Sequence, residues 1–412
     1  MEQILHIDMN SCYASIECLY RPELKDKPVA VAGDPENRHG IILAKNTYAK
    51  KFGVTTGEAI WQARGKCPGL ILVPPHYDRY LRFSRIARSL YYEYANQVEP
   101  YGLDECWVRV TNSPACGGDA LTIAKEIRKR MREEIGLTVS VGLSWNKIFA
   151  KFGSDYKKPD ALTVITPANY KEIVWPKPVE DLLYVGHRTK KKLNGRGILT
   201  IGDLAQYDRK ALGLWLGKWG LVLSDFARGL DSEPVRVMGE ENIIKSIGNG
   251  VTMPKDVVNS SEAMLVITVL AESVAARLKE HNFRCKGVQL DLRDSNLYSI
   301  SRQKKLSKVT YCSYDLIEGA MQLLQANYVF ERPLRSINVR AINLVAADSG
   351  VPIDLFSRVD DVKLERCEKV VEELRKRFGH FIIGRASLLK DTQLTHFNPH
   401  EDHVIHPMAY FR

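Results

Sequence analysis

The chain has 412 residues, with 59 Lys and Arg against 49 Asp and Glu, a formal charge of +10 and a pI near 9.0. An apolar fraction of 45% and a charged fraction of 26% are ordinary globular usage, which excludes disorder or a fibrous repeat as the main state, and the length suits about two to four domains. No apolar run approaches the ~18–20 residues of a membrane span, no secretion signal opens the chain, and the eight cysteines are scattered without a Cys-x-x-Cys pair; a cytoplasmic, reducing setting without structural zinc is expected.

In chain order, Ile4 to Met9 is a short β-favouring run that carries Asp8 near its end, and Asn10-Ser11 can cap a helix beginning near Tyr13. Pro28 to Ala32 and Gly40 to Ala44 read as buried strands, the second leading into a Lys-rich helix that stops at Gly53. Residues 77–94 are helical by pattern, and Tyr101 to Val110 alternates as a strand. Ile123, Ile127, Met131 and Ile135 recur on one helix face. Leu137 to Leu143 then alternates as a strand, and Asn146 to Asp155 resumes helix. This order predicts a compact α+β catalytic domain.

After Pro159 the texture changes. Residues 167–236 read as helical with glycine breaks, and 237–245 as a tether. An α+β pattern returns over 246–346, with helices at Ala263–Glu280 and Tyr314–Gln325 and strands at Gly287–Leu292 and Tyr298–Ser301. Residues 243–346 hold 14 Lys and Arg against 9 Asp and Glu, half the chain's excess charge in a quarter of its length. The last stretch offers one amphipathic helix on Val362, Cys367, Val370, Val371, Leu374 and Phe378. A loosely packed tail follows, whose His396, His400, His403 and His406 match no metal-ligand pattern.

The chemistry concentrates at Asp8 and at Asp104-Glu105, carboxylates set among β-favouring apolar residues. Such placement is costly unless the carboxylates are paired or metal-bound. Three of them can hold two divalent cations about 3.5–4 Å apart, an arrangement that activates an attacking oxygen and stabilises a leaving phosphate. Oxygen-only ligation favours Mg²⁺ over zinc. The plainer alternative is that Asp8 caps a turn and Asp104-Glu105 are exposed edge residues. Lys50 and Lys158 are cations able to meet phosphate.

Three segments carry a resemblance. Asp8-Met9-Asn10-Ser11-Cys12-Tyr13-Ala14-Ser15-Ile16-Glu17 is similar to the first motif of the Y-family translesion DNA polymerases, and Gly102-Leu103-Asp104-Glu105 resembles that family's Ser-Ile-Asp-Glu motif. Ser144-Trp145-Asn146-Lys147-Ile148-Phe149-Ala150-Lys151, running on to Lys158-Pro159, resembles its palm-closing segment. The likeness spans about residues 1–346 and is nearest the bacterial polymerase IV and UmuC-like branch.

The resemblance implies an α+β, multidomain right-hand polymerase. Its parts are a ferredoxin-like palm (1–19 and 75–166), small fingers (20–74), a helix-hairpin-helix thumb (167–236), a linker (237–245), an α+β little finger (246–346) and a C-terminal extension (347–412). Asp8, Asp104 and Glu105 become catalytic ligands of two Mg²⁺ ions, with Met9 supplying a main-chain carbonyl. Tyr13 becomes the steric gate under the deoxyribose. Cys12, Tyr13, Thr47, Lys50 and Lys158 become nucleotide contacts, with Thr47 and Lys50 standing where the family has Tyr and Arg, so a bidentate guanidinium is lost. Gly102 replaces the usual Ser, and Arg109 an acidic residue.

Gly186, Lys190, Gly195 and Gly197 fall in the hairpin, where glycine lets backbone N–H groups approach phosphate; Thr200 and Asp203 open the next helix with a capping box. Arg302, Lys304 and Lys305 lie in a basic run on or beside a strand, suited to DNA-backbone contact without base readout. Pro352-Ile353-Asp354-Leu355-Phe356 resembles a sliding-clamp-binding peptide, with Leu355 and Phe356 as anchors. The expected activity is template-directed, error-prone translesion synthesis from dNTPs on primer-template DNA by a monomer, with no domain left for a proofreading exonuclease. A binding-only paralogue and a small-molecule nucleotidyltransferase such as a nucleotidyl cyclase remain the alternatives.

Overall fold

The computed structural model describes residues 1–34, 40–237, 244–347 and 359–399, with side chains from 363 onward in the last stretch. They form two compact units, one built on Met1–Gly33 and Ile41–Glu241, the other mainly on Asn242–His406. No helix among the described residues is long and apolar enough to cross a membrane.

The first unit opens with β1 (Ile4–Met9) and α1 (Cys12–Tyr20), followed by β2 (Val29–Ala32), β3 (Ile42–Lys45), α2 (Thr47–Lys51), α3 (Ile60–Lys66) and β4 (Ile71–Val73). After α4 (Tyr77–Tyr92) come β5 (Val98–Pro100), β6 (Glu105–Arg109), α5 (Ala120–Arg130), β7 (Val139–Ser144), α6 (Lys147–Tyr156) and β8 (Leu162–Val164). The helices α7 (Tyr170–Ile173), α8 (His187–Asn194), α9 (Ile201–Gln206), α10 (Arg209–Leu216) and α11 (Lys218–Ala227) complete it.

Five strands form one sheet in the order β5-β6-β1-β7-β8, with β1 at its centre and antiparallel to both neighbours. All six residues of β1 are buried, as a central strand covered on both faces requires. Leu5 and Ile7 point into a core closed by Ile16 of α1, Tyr80 and Tyr91 of α4, and Ile123, Ile127 and Met131. The helix periodicity read at α5 is therefore its packing face, although Ile135 stays on the margin of that core.

On the sheet's other face, α6 crosses β7 without a side chain between: a Cβ on Gly142 would fall 2.0 Å from the Ala150 carbonyl oxygen, and one on Gly153 would fall 3.0 Å from Gly142 Cα. A smaller sheet, β3-β2-β4, has its own core around Ala30, Ile42, Val54 and Ala63. The helices from α7 onward gather around Phe149, Ile165, Val179, Leu193, Leu204 and Leu212.

Two local expectations change. The run from Tyr101 to Val110 is not one strand: β5 ends at Pro100, β6 starts at Glu105, and Asp104 occupies the turn between them. Ser11, at φ 49°, starts α1 without a side-chain cap; instead the Ser15 hydroxyl donates to the Asn10 carbonyl at 2.8 Å.

The second unit comprises β9 (Ser246–Val257), α12 (Ser260–Glu280), β10 (Phe283–Asp294), β11 (Ser299–Thr310), α13 (Ser313–Asn327), β12 (Leu334–Ala346), α14 (Val359–Phe378) and α15 (Thr392–Thr395). Its antiparallel sheet, β11-β10-β12-β9, packs one face on α12 and α13 through Val288, Leu290, Val266, Leu270, Leu316 and Ala320. Both central strands run through bulges, and β9 and β12 are strands where the pattern showed none.

The tail also departs from expectation. Leu394 is fully buried in this core, Thr395 and Asn398 are buried beside it, and the His396 ring stacks on Phe381 with centroids 4.2 Å apart. The helix read at 362–378 exists as α14, but Cys367, Val370 and Phe378 are exposed. Its inward stripe is acidic instead. Lys279, nearly buried, meets Glu368 at 2.9 Å and Glu372 at 2.5 Å, Arg284 meets Glu365 at 3.1 Å, and the Ser313 hydroxyl donates to Glu368 at 2.6 Å.

Candidate active site and nucleic-acid surfaces

The strand pairing that centres β1 also assembles the carboxylates. Asp8 lies directly across from Glu105 in the β1–β6 ladder, and the Met9 amide donates to the Asp104 carbonyl at 3.0 Å, holding the β5–β6 turn against the end of β1. Asp8 is buried and Asp104 half-buried. Burial, then the charge of Glu105, pushes the Asp8 carboxyl up to about 7. Burial, then Asp8, pushes Asp104 up to about 6. Burial first, and a neighbouring carboxylate second, thus oppose ionisation of Asp8 and Asp104.

Two lysines neutralise them. Lys158 Nζ lies 2.6 Å from Asp8 Oδ2 and 2.7 Å from Asp155 Oδ1. Lys151 Nζ lies 2.7 Å from Glu105 Oε1 and 3.2 Å from Asp155 Oδ2. Burial alone would lower both ammonium values, but the surrounding carboxylates hold them above the ordinary lysine range. The segment bearing Lys158 is anchored by Asn10, whose Nδ2 donates to Ser140 Oγ and whose Oδ1 accepts from the Asp160 amide, each at 2.8 Å. The sequence alone assigns neither Lys151 nor Asp155 a role. Their signal was the i, i+4 spacing on a helix that follows β7 directly.

Among the described residues, no group of three His, Cys, Asp or Glu side chains forms a ready metal cage. The donor chemistry nevertheless fits a divalent cation: only oxygen ligands converge, two of the acids resist ionising, and ammonium groups already fill the role of countercharge.

Tyr13 lies on the first turn of α1, its ring parallel to Tyr80 with centroids 4.2 Å apart and edge-on to Tyr77 at 5.9 Å. Burial, and then the nearby Asp104 charge, raises its hydroxyl well above the ordinary tyrosine range. Cys12 has its thiol in the hydrophobic core, so only its main chain is available to a nucleotide. Thr47 and Lys50 are both exposed on α2, whose start is capped by Asn46 accepting from the Ala49 amide at 3.0 Å. Lys45, at the end of β3, is lowered by burial and then by the charge of Lys50, so two cations lie near one another.

A cavity of about 510 Å³ opens beside this centre, lined by Tyr101, Lys151, Asp155, Glu180 and the turn leading to Gly186. Gly186 caps α8, and Gly197 adopts φ 77° as a tight turn requires, whereas Gly195 has an ordinary helical backbone. Thr200 and Asp203 form the expected capping box. Lys190 is paired with Glu180 at 2.5 Å, which leaves Arg188, Lys191 and Lys192 as exposed cations of α8.

In the second unit the basic run lies on β11, the edge strand, and the pleat divides it. Arg302 and Lys304 pair across from Leu290 and Val288, so they point to the helix-covered face, where they bond Asn327 and Gln322 of α13. Lys305 alternates onto the open face. Arg293 and Arg340 join it there, beside Gly248, Gly250 and Asn338. Leu355 and Phe356 lie outside the described residues.

Comparison with known proteins agrees with this arrangement. The impB/mucB/samB family profile matches residues 7–155, and the profile of that family's C-terminal domain matches residues 244–355. A protein named DNA polymerase IV from Acetivibrio thermocellus is 48% identical over 95% of this chain and 98% of its own. DNA polymerase IV 1 of Bacillus subtilis is 36% identical over 96% of each. Among solved structures, a Y-family DNA polymerase chimera superposes with a TM-score of 0.73 at 24% identity, covering 84% of this chain and 99% of its own. With the α+β fold, the motif order and near-complete coverage all in agreement, the chain belongs to the Y-family of DNA polymerases, in its bacterial DNA polymerase IV group.

Proposed function

We propose that the chain performs template-directed, error-prone translesion synthesis, transferring nucleotidyl groups from dNTPs to a primer 3′-hydroxyl. The observation that carries this reading is the convergence of Asp8, Asp104 and Glu105 at the joined ends of β1 and the β5–β6 turn, in a chain 48% identical to a DNA polymerase IV. We read the five-stranded sheet with its helices as the palm (1–19 and 75–166), the small sheet as the fingers (20–74), α7 to α11 as the thumb, and the sheet of the second unit as the little finger.

Asp8, Asp104, Glu105 and the Met9 carbonyl would hold two Mg²⁺ ions, whose chemistry is to lower the pKa of the primer hydroxyl and offset charge on the leaving pyrophosphate. The protein's own contribution is placement. Rigid strands fix the acids; Lys158, once Asp8 has another partner, is free to turn to triphosphate oxygens, and Lys50 with Lys45 approaches them from α2 and β3. The Tyr13 ring, backed by Tyr80, excludes a ribose 2′-hydroxyl. Gly186 and the exposed lysines of α8 offer phosphate contacts, and Lys305 with the open sheet face offers others, none requiring a particular base. A sliding clamp is the partner proposed for Leu355 and Phe356.

Primer extension with Mg²⁺ on undamaged and lesion-bearing templates tests the proposal. Asp104→Ala should lose synthesis while retaining primer-template binding. Undiminished extension by that variant would defeat the catalytic assignment, and template-independent product would place the chain among other nucleotidyltransferases.

A further inference from the structure

Tyr13 and Glu17 stand four residues apart on α1, on one face of the helix, and both meet Tyr80 of α4. The Tyr80 ring lies almost parallel to Tyr13, at an interplanar angle of 4°, and its hydroxyl donates to Glu17 Oε1 at 2.8 Å. The same hydroxyl accepts the His76 amide at 3.1 Å. Glu17 is fully buried, yet every oxygen is engaged: His76 Nδ1 lies 2.9 Å from Oε1 and Arg79 Nη1 lies 2.9 Å from Oε2.

An apolar seam would join α1 to α4 at lower desolvation cost than a buried carboxylate with a retinue of donors. The arrangement supplies something packing alone does not, a hydrogen bond that fixes how far the Tyr80 ring reaches beneath Tyr13. Tyr77 closes edge-on against both rings, at 5.9 Å from Tyr13 and 5.5 Å from Tyr80, so the stack has little freedom to tilt.

We propose that Glu17 is a positioning residue for sugar discrimination: by tethering the Tyr80 hydroxyl it sets the platform on which the Tyr13 ring rests, and with it the clearance left for the 2′ position of an incoming nucleotide. The inference rests on reading Tyr13 as the sugar gate. Neither Glu17 nor Tyr80 touches the reacting atoms; their effect passes through Tyr13.

Single-nucleotide extension measures it, as the ratio of kcat/KM for a dNTP to that for the matching rNTP, in the full chain and in Tyr13→Ala, Glu17→Gln, Tyr80→Phe and the Tyr13→Ala/Tyr80→Phe double variant. Tyr80→Phe keeps the ring and its burial, so the stack survives while the tether is cut. Glu17→Gln and Tyr80→Phe should each lower the ratio about ten-fold, chiefly by admitting rNTPs, and Tyr80→Phe should add nothing once Tyr13 is Ala. A ratio unchanged in both tether variants while Tyr13→Ala relaxes it would overturn the role of Glu17 alone, as would fully additive effects in the double variant. A ratio unchanged in Tyr13→Ala would instead remove the gate reading itself.

Discussion

Replacing Asp104 with Asn should make the metal-free protein more stable. The carboxyl of Asp104 is raised from 3.8 to about 6, by burial first and by Asp8 second. At about 1.4 kcal/mol per tenfold change in proton affinity, ionising it in the folded chain costs up to about 3 kcal/mol. Because the folded value exceeds the unfolded one, that cost is fully present above about pH 6, shrinks as the pH falls and vanishes below 3.8. Asn keeps the shape and sheds the charge. In thermal unfolding with a chelator at pH 7.5, Asp104→Asn should melt higher by about 6–12 °C for a unit of this size. At pH 4.5, where the penalty has dropped to about 1 kcal/mol, the gap should narrow to about a third. Added Mg²⁺ should stabilise the wild type more than the variant. A variant that melts with or below wild type at pH 7.5, or a gap indifferent to pH, would show that ionised Asp104 carries no such cost in the fold.

Two further outcomes follow from the packing and the pleat. Lys147, with 5% of its side chain exposed, bonds both oxygens of Glu99 at 3.0 and 2.9 Å and lies over the Trp107 ring. Lys147→Met leaves that carboxylate buried and should cost about 3 kcal/mol in urea unfolding, the low end for such pairs because the Arg236 amide still donates to Glu99 at 3.1 Å. Adding Glu99→Leu should recover most of the loss, and no recovery would refute the account. On the basic strand, Lys305→Ala should reduce the salt dependence of DNA binding by about one phosphate contact, while Lys304→Ala should leave it near wild type. Equal slopes for the two variants would contradict the division of the strand by face.

The site was readable where it depends on contiguous residues and much less so where it depends on crossings. The segment from Asp8 to Tyr13 keeps its chemistry within six positions, so the strand end, the acid and the aromatic were all visible. The turn at Asp104 was not, because alternation continues on both sides of it and hides the break between β5 and β6. Glu17 and its partners are separated by 59 to 63 positions, and no local pattern marks an acid destined for burial. The long strands β9 and β12 were missed for another reason: glycines and polar residues serve their open face, while bulges interrupt the alternation. In α14 the apolar residues faithfully mark a helix, but not the side that docks, since that side is held by glutamates.

The bare crossing of α6 over β7 has a consequence for precision. With Gly142 against Gly153 and the Ala150 carbonyl, the separation of helix and strand is set main chain to main chain. No side chain lies in that gap whose rotamer could change and pass a displacement along. Lys151 and Asp155 on the helix and Asp8 on the neighbouring strand are therefore referenced to one another through two rigid backbones. Their spacing should drift little with temperature or with repacking elsewhere, much as the two jaws of a calliper keep their zero when nothing compressible lies between them.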